Sequence, residues 1–321
     1  MTAVGIDIGG TKLLAVRLEP GGGFTTDPKL AAPRSVDELV SDVLGAGRRL
    51  SGGAAPTSIG IGVPGLVDHT GTLVFAPNLQ GATGAPIGDT LRTAEPGARV
   101  WVGNDATAAG WAEHRVGAGA GCRDMLMVTL GTGIGGGVVM DGRLVEGAHR
   151  FAGEFGHMVV DPNGPQCPCG KKGCWERFAS GAGLGVLARE MAMAGVAPEL
   201  TKRAGGDPEA VRGEHVTSAA ADGEPAAVEI MRRFGWWVAL GLANLANLFD
   251  PEVIVIGGGL VGAGDVLMQP IRLAFADLVE AADQREIALV RPAQLGPNAG
   301  AVGAALLAAG DADPPATAMP A

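Results

Sequence analysis

The sequence is short of cysteine, of positive charge and of long apolar runs, and each shortage excludes a class of protein. Four cysteines occur in 321 residues, three of them between Cys167 and Cys174. That distribution is no disulfide framework, so a reducing, cytoplasmic setting is expected. Lys and Arg number 24 against 34 Asp and Glu, a formal charge of −10, and no stretch concentrates the cations. Nucleic acid is therefore not an expected partner, because neutralising phosphates takes clustered Lys and Arg. The most apolar run, Trp236 to Phe249, contains Asn244 and Asn247 and stops at Asp250. It falls short of the ~20 residues of a membrane helix and is expected to be a core helix, with no membrane partner. The opening MTAVGIDIGG carries Asp7 and meets Lys12 soon after, so no signal peptide is expected.

What is present is a globular composition, 47% hydrophobic and 18% charged, in a chain long enough for two domains. The densest chemistry lies in Gly153 to Glu176, GEFGHMVVDPNGPQCPCGKKGCWE. Cys167, Cys169 and Cys174 form C-x-C-x(4)-C, and His157 precedes them, which is a local Cys3His set for Zn2+. Pro168, Gly170 and Gly173 supply the sharp turns of a metal knuckle. The plain reading is a structural zinc that staples a loop too poor in apolar residues to pack itself. A further role comes from Glu154 and Glu176, which the tetrahedron does not need. A zinc-bound imidazole keeps its other N–H as an oriented donor. Together these groups offer one donor and two acceptors, which suits a polyhydroxylated ligand such as a sugar.

Two glycine-rich turns read as phosphate cradles. In the first, strands at Val4–Ile8 and Leu13–Leu18 flank Gly9, Gly10, Thr11 and Lys12. Small residues there expose backbone N–H groups beside a hydroxyl and an ammonium, and Asp7 could hold Mg2+ next to them. In the second, strands at Met125–Leu130 and Ile134–Met140 flank Gly131, Thr132 and Gly133. The recurrence suggests two related α/β domains. Gly131, Gly133 and Gly136 also satisfy G-x-G-x-x-G, but a dinucleotide turn must open a helix, and here the pattern continues as strand. Nucleotide phosphate stays; NAD does not.

Other elements are expected as a helix from Ser35 to Leu50, strands at Ser58–Val63 and Arg99–Val102, and a helix from Ala106 to Arg115 opened by Asn104 and Asp105. One of that pair is the helix cap; the other would sit at the carboxyl edge of a sheet, where open α/β folds bind ligands. A helix follows Ser180, and Thr201 to Gly213 is polar and expected to be mobile. A long helix runs from Glu224 to Phe249. The strand Glu252–Ile256 ends in Gly257, Gly258 and Gly259, against which an adenine or ribose could lie. A helix at Asp265–Glu280, a strand at Ile287–Val290, a helix at Ala299–Ala308 and a disordered Ala/Pro-rich tail complete the chain.

These residues together resemble the ROK family of sugar kinases and sugar-responsive repressors, most of all its bacterial glucokinases. The resemblance rests on DIGGTK at Asp7, APNL at Ala76–Leu79, GNDATAA at Gly103–Ala109, GEFGH and CPCGKKGCWE. It implies an α/β fold of two actin-like, ribonuclease-H-like ATPase domains with an interdomain cleft and a zinc loop. On that pattern residues 1–115 form the N-terminal domain, to which a helix at 299–310 returns, and 116–298 form the larger one, with 311–321 as tail. By resemblance Asp105 is the catalytic base. Asn78, Asn104, Asp105, Glu154, His157 and Glu176 match sugar contacts. Asp7, Gly9 to Lys12, Thr132, Gly133 and Gly257 to Gly259 match the ATP and Mg2+ segments. The implied activity is ATP-dependent phosphorylation of a hexose on its primary hydroxyl, glucose first, by a homo-oligomer, dimer or tetramer. After APNL the chain reads QGATGAPIG, where the glucokinases carry a bulkier segment. Kinases for N-acetylglucosamine, N-acetylmannosamine, mannose or fructose therefore stand as alternatives, as does a non-catalytic sugar-binding regulator. Regulators of the family place a helix-turn-helix before DIGGTK, which here starts within the first dozen residues, so a DNA-binding regulator is not expected.

Overall fold

The computed structural model describes residues 2–10, 12–76, 79 and 81–311, and every structural statement here concerns those residues. The strands are β1 (Ala3–Ile8), β2 (Lys12–Leu18), β3 (Phe24–Thr26), β4 (Leu30–Ala31), β5 (Ser58–Val63), β6 (Leu66–Val67), β7 (Leu73–Phe75), β8 (Arg99–Asn104), β9 (Met125–Leu130), β10 (Ile134–Met140), β11 (Arg143–Leu144), β12 (Val253–Gly257) and β13 (Leu289–Pro292). The helices are α1 (Val36–Leu50), α2 (Ile87–Ala94), α3 (Asp105–Val116), α4 (Glu176–Ala179), α5 (Gly181–Met193), α6 (Pro198–Arg203), α7 (Gly213–Ala221), α8 (Pro225–Phe249), α9 (Asp265–Leu278) and α10 (Ala299–Ala309). They divide into two compact units. One comprises the described residues within 2–127, 137–153 and 294–311, and the other 128–136 and 154–293.

In the first unit the sheet order is β3-β2-β1-β5-β8, with β4 also on β2. The β1–β2 hairpin is antiparallel, Ile8 facing Leu13, while β1, β5 and β8 run parallel. One face packs on α1, whose Leu39, Val43, Ala46 and Leu50 join Ile6, Ile59 and Ile61 in a closed core. Ser35 caps α1 by accepting from the Glu38 amide at 3.1 Å, and acids in its first turn and arginines in its last complement the helix dipole. The other face receives α10, and there the chain uses glycine. A Cβ at Gly5 would overlap the Ala301 carbonyl oxygen, one at Gly60 that of Ala304, and one at Gly303 that of Ala108 on α3. The abundance of glycine and alanine thus lets sheet and helices meet backbone to backbone.

The second sheet has the order β11-β10-β9-β12-β13, with β12 and β13 parallel. In the second unit α8 begins at a Glu224 cap, whose carboxylate accepts from the Ala227 amide at 2.6 Å, and carries Pro225 at its first position. Phe234, Val238, Leu242 and Leu245 are buried along it, as expected of a core helix, while Leu248 near its end is 73% exposed.

The segment from Thr201 to Gly213 differs from expectation. It is built structure rather than a mobile link: Pro198 opens α6, Pro208–Ala210 forms a 3-10 turn, and Leu200 and Val211 are fully buried. Arg189 on α5 donates to the Val211 carbonyl at 3.2 Å. The strand expected at Ile287–Val290 lies two residues later. Among the described residues no helix is long and apolar enough to cross a membrane. Most of the expected tail, from residue 312 on, lies outside the described residues.

Candidate active site

The first unit gathers two carboxylates at the carboxyl edge of its parallel strands. The register sets Asp7 beside Gly62 and Gly62 beside Gly103, one residue before Asn104. Gly62 leaves the space between them open: a Cβ there would lie 3.2 Å from the Asp105 Cα and 3.8 Å from Asp7 Oδ1. On its other side the Asp7 carboxylate rests on the first turn of α10, where a Cβ at Gly300 would come within 2.8 Å of Oδ2. Asp105 is the first residue of α3, and its Oδ1 accepts from the Ala106 amide at 2.9 Å. Two helix N-termini therefore face the pair. Burial nevertheless outweighs them. It lifts the Asp105 carboxyl above the usual range, and burial followed by the Asp105 charge lifts Asp7 to about 7.

Asp7 Oδ1 is buried without a hydrogen-bond partner. An orphaned hard oxygen donor beside a glycine turn fits Mg2+, held directly or through water. The Gly9 amide donates to the Lys12 carbonyl at 2.9 Å and closes that turn, and a Cβ at Gly10 would meet nothing within 4 Å. Asn104 is the cap of α3: its Oδ1 accepts from the Thr107 amide at 3.0 Å while its Nδ2 donates to the Gly65 carbonyl at 3.2 Å. Thr11 and Asn78 lie outside the described residues.

In the second unit the four side chains expected to hold a metal lie together. The donor atoms of His157, Cys167, Cys169 and Cys174 all lie within 4.8 Å of one another. Sγ of Cys169 and Cys174 are 3.6 Å apart, and Cys167 Sγ is 3.8 Å from His157 Nδ1. Ligands at zinc–sulfur distance on a tetrahedron are separated by ~3.8 Å, so these side chains fit the ion. Burial keeps the Cys167 and Cys174 thiols protonated, and a bound dication reverses that preference. With Nδ1 turned to the thiols, Nε2 of His157 points the other way, 3.9 Å from Glu154 Oε2. Glu176 Oε1 accepts from Cys167 Sγ at 3.0 Å.

This knuckle is fixed to the unit at two places. Trp175 is fully buried, its indole N–H donating to the Trp237 carbonyl at 2.7 Å, and its ring occupies the space a Cβ at Gly241 of α8 would need. At the other place the motif turn Phe155–His157 lies against β10, where a Cβ at Gly156 would overlap the Ile134 carbonyl. Beside it a Cβ at Gly133 would stand 2.8 Å from Glu176 Oε2. The acid of the zinc loop thus touches the second glycine turn.

That turn opens on a cavity of about 650 Å3 lined by Leu130, Gly131, Thr132, Gly181, Ala182, Gly213, Glu214, Thr217, Gly259, Leu260, Gly262 and Ala263. Its volume is in the range of small-ligand sites. Gly257 and Gly258 do not line it. Gly258 (φ +85°) instead presses on the Leu130 backbone, which a side chain would forbid, and so joins β12 to the turn. The α7 residues Glu214 and Thr217 escaped sequence reasoning because their segment reads as polar surface. Gly62 and Gly300 escaped it because nothing local marks what they face. Arg150 was also missed: it donates to the Val102 carbonyl at 3.1 Å, pairs with Glu146 and lies over Trp101, bracing the strand that ends in Asn104.

The model of the ROK family matches residues 3–311. The chain belongs to the ROK family. Its fold is that family's mixed α/β fold with a zinc loop. A glucokinase of Streptomyces coelicolor is 38% identical over 310 residues, 95% of this chain and 96% of its own. An N-acetylmannosamine kinase of Salmonella typhi is 34% identical over 314 residues, 97% of this chain and 99% of its own. The crystal structure of a ROK family glucokinase from Streptomyces griseus in complex with glucose and AMPPNP is 39% identical, with a TM-score of 0.85 over 97% of this chain and all of that one.

Proposed function

We propose that this ROK protein is an ATP-dependent hexose kinase that converts glucose to glucose 6-phosphate. The observation that carries the reading is the contact of Glu176 with both the Cys3His cluster and the Gly131–Gly133 turn, which joins a sugar-type donor–acceptor set to a nucleotide-sized cavity. The likeness to a glucokinase bound to glucose and AMPPNP supports it.

In this reading His157, Glu154, Glu176, Asn78 and Asn104 hold the sugar hydroxyls. The Cys3His set would hold zinc and so fix the imidazole; with the Cys167 thiol deprotonated as a ligand, Glu176 Oε1 would be left to accept from a sugar hydroxyl instead. Asp105 accepts the proton of the primary hydroxyl as the phosphoryl group is transferred, for which a carboxyl raised by burial is a better base than an exposed one. Asp7 would hold Mg2+, which would supply positive charge at the phosphates, where Lys12 and the backbone N–H groups of the two turns also offset charge. Gly257 and Gly258 shape the turn, and Gly259 and Thr132 line the nucleotide cavity. A cytoplasmic homo-oligomer is the expected form. The N-acetylmannosamine kinase relatives favour one second reading, an N-acetylhexosamine as acceptor.

A coupled assay with ATP against glucose, mannose, fructose, N-acetylglucosamine and N-acetylmannosamine tests both. Glucose should have the highest kcat/KM. A preference for N-acetylmannosamine would select the second reading, and no turnover of any sugar would end both.

A further inference from the structure

The nucleotide cavity contains three polar side chains, Thr132, Glu214 and Thr217, among glycine, alanine and leucine. Thr132 belongs to the β9–β10 turn. Glu214 and Thr217 are three residues apart on α7 and so share a helix face. The Thr217 hydroxyl donates to the Glu214 carbonyl at 3.2 Å, which spends its proton and leaves only lone pairs for a ligand. The Glu214 side chain is exposed and has no ion pair or hydrogen bond among the described residues. On its α7 side the cavity therefore offers side-chain acceptors and no side-chain donor.

A ligand that faces α7 must bring the donors. A nucleoside triphosphate seated with its phosphates on the Gly131–Gly133 turn has two kinds to offer, the vicinal 2′,3′-diol of the ribose and an exocyclic amine of the base. The diol presents two O–H groups to the two oxygens of one carboxylate, and charge-assisted hydrogen bonds are the strong ones. The ribose also adjoins the phosphates. We propose that Glu214 binds the ribose diol of the phosphate donor and makes the enzyme selective for ribonucleotides over deoxyribonucleotides. The inference rests on the kinase reading for the identity of the ligand, but its test needs no turnover.

Calorimetric titration of ADP, 2′-deoxy-ADP and inosine diphosphate into wild type, Glu214→Gln and Glu214→Ala reads it directly. Because Glu214 is exposed, both variants should fold, and an unchanged melting temperature checks this. Wild type should bind 2′-deoxy-ADP about tenfold more weakly than ADP. Glu214→Ala should lose about a hundredfold for ADP and about tenfold for 2′-deoxy-ADP, which still presents its 3′-hydroxyl, so that the two converge, with Glu214→Gln between. An ADP to 2′-deoxy-ADP ratio that survives in Glu214→Ala overturns the proposal. So does an equal loss for both nucleotides with inosine diphosphate spared, which would assign Glu214 to the base. Wild type that binds ADP and discriminates as described, yet phosphorylates no sugar, would leave this inference standing and remove the kinase reading.

Discussion

Consider Asp7→Asn in protein freed of metal and nucleotide. The wild-type carboxyl has a folded value of about 7 against an ordinary 3.8, because it is buried, Oδ1 has no partner, and Asp105 is its neighbour. Between those two values the folded chain holds the proton more tightly than the unfolded chain. This group's contribution to stability is therefore full below pH 3.8 and is lost as the pH rises to 7. Taken alone, the gap amounts to ~4 kcal/mol above pH 7 and to ~2 kcal/mol at pH 5. One proton can serve both carboxylates of the pair, so about half of each is assigned to Asp7. Asparagine has nearly the same shape and stays neutral throughout. In urea denaturation with a chelator present, Asp7→Asn should exceed wild type by about 2 kcal/mol at pH 8 and about 1 kcal/mol at pH 5. Adding Mg2+ with ADP should then stabilise wild type more than the variant, since ligand that binds only the folded state shifts the balance by mass action and the variant loses the magnesium-dependent part. A variant equal to wild type at pH 8, or a gap that widens toward pH 5, would refute the argument that an unpaired buried carboxylate is kept here for the ligand it meets.

Three further outcomes test other parts of the site. Asp105→Ala should lower kcat by at least a hundredfold while KM for glucose and ATP stays within a few-fold, because a general base acts in the transition state; steady-state kinetics that retain a tenth of the wild-type rate would remove it from that role. Cys169→Ser, at an exposed ligand, should reduce bound zinc measured by atomic absorption and raise KM for glucose together; loss of zinc with an unchanged KM would make the metal a staple only. Gly241→Ala drives a methyl group into the Trp175 ring and should cost about 1–3 kcal/mol in thermal or urea melts, with faster loss of zinc to a chelator; an unaffected zinc off-rate would show that the indole does not anchor the knuckle.

How much of this could be read in the sequence follows from how far each feature reaches along the chain. The ends of β5, β9 and β10 fall where alternation and turn residues put them, and Ser35 caps α1 as its position suggested, because each depends on neighbours a few residues away. The metal cluster was legible for the same reason: its four ligands span His157 to Cys174, and a knuckle closes on itself. The rejection of a dinucleotide turn also held, since Ile134 to Met140 is strand. By contrast α6, α7 and the link between them bury few large apolar residues, Leu200, Val216 and Val211, spaced among polar and small ones. A helix that short draws its stability from what it packs against, which the local pattern does not contain.

The same limit explains the glycines. Gly62 and Gly300 lie in a strand and a helix that the local pattern places, yet what matters is the carboxylate each admits, which nothing local marks. Gly62 adjoins Asp7 from 55 positions away in sequence, and Gly300 packs on the same side chain from the far end of the chain. Either as alanine would press on Asp7 or on the backbone of Asp105, so the placement of these two carboxylates depends on two absent methyl groups. A residue type that makes no contact of its own is thus the one that sets the spacing of the two acids, and only the long-range pairing of β1, β5 and α10 makes that visible.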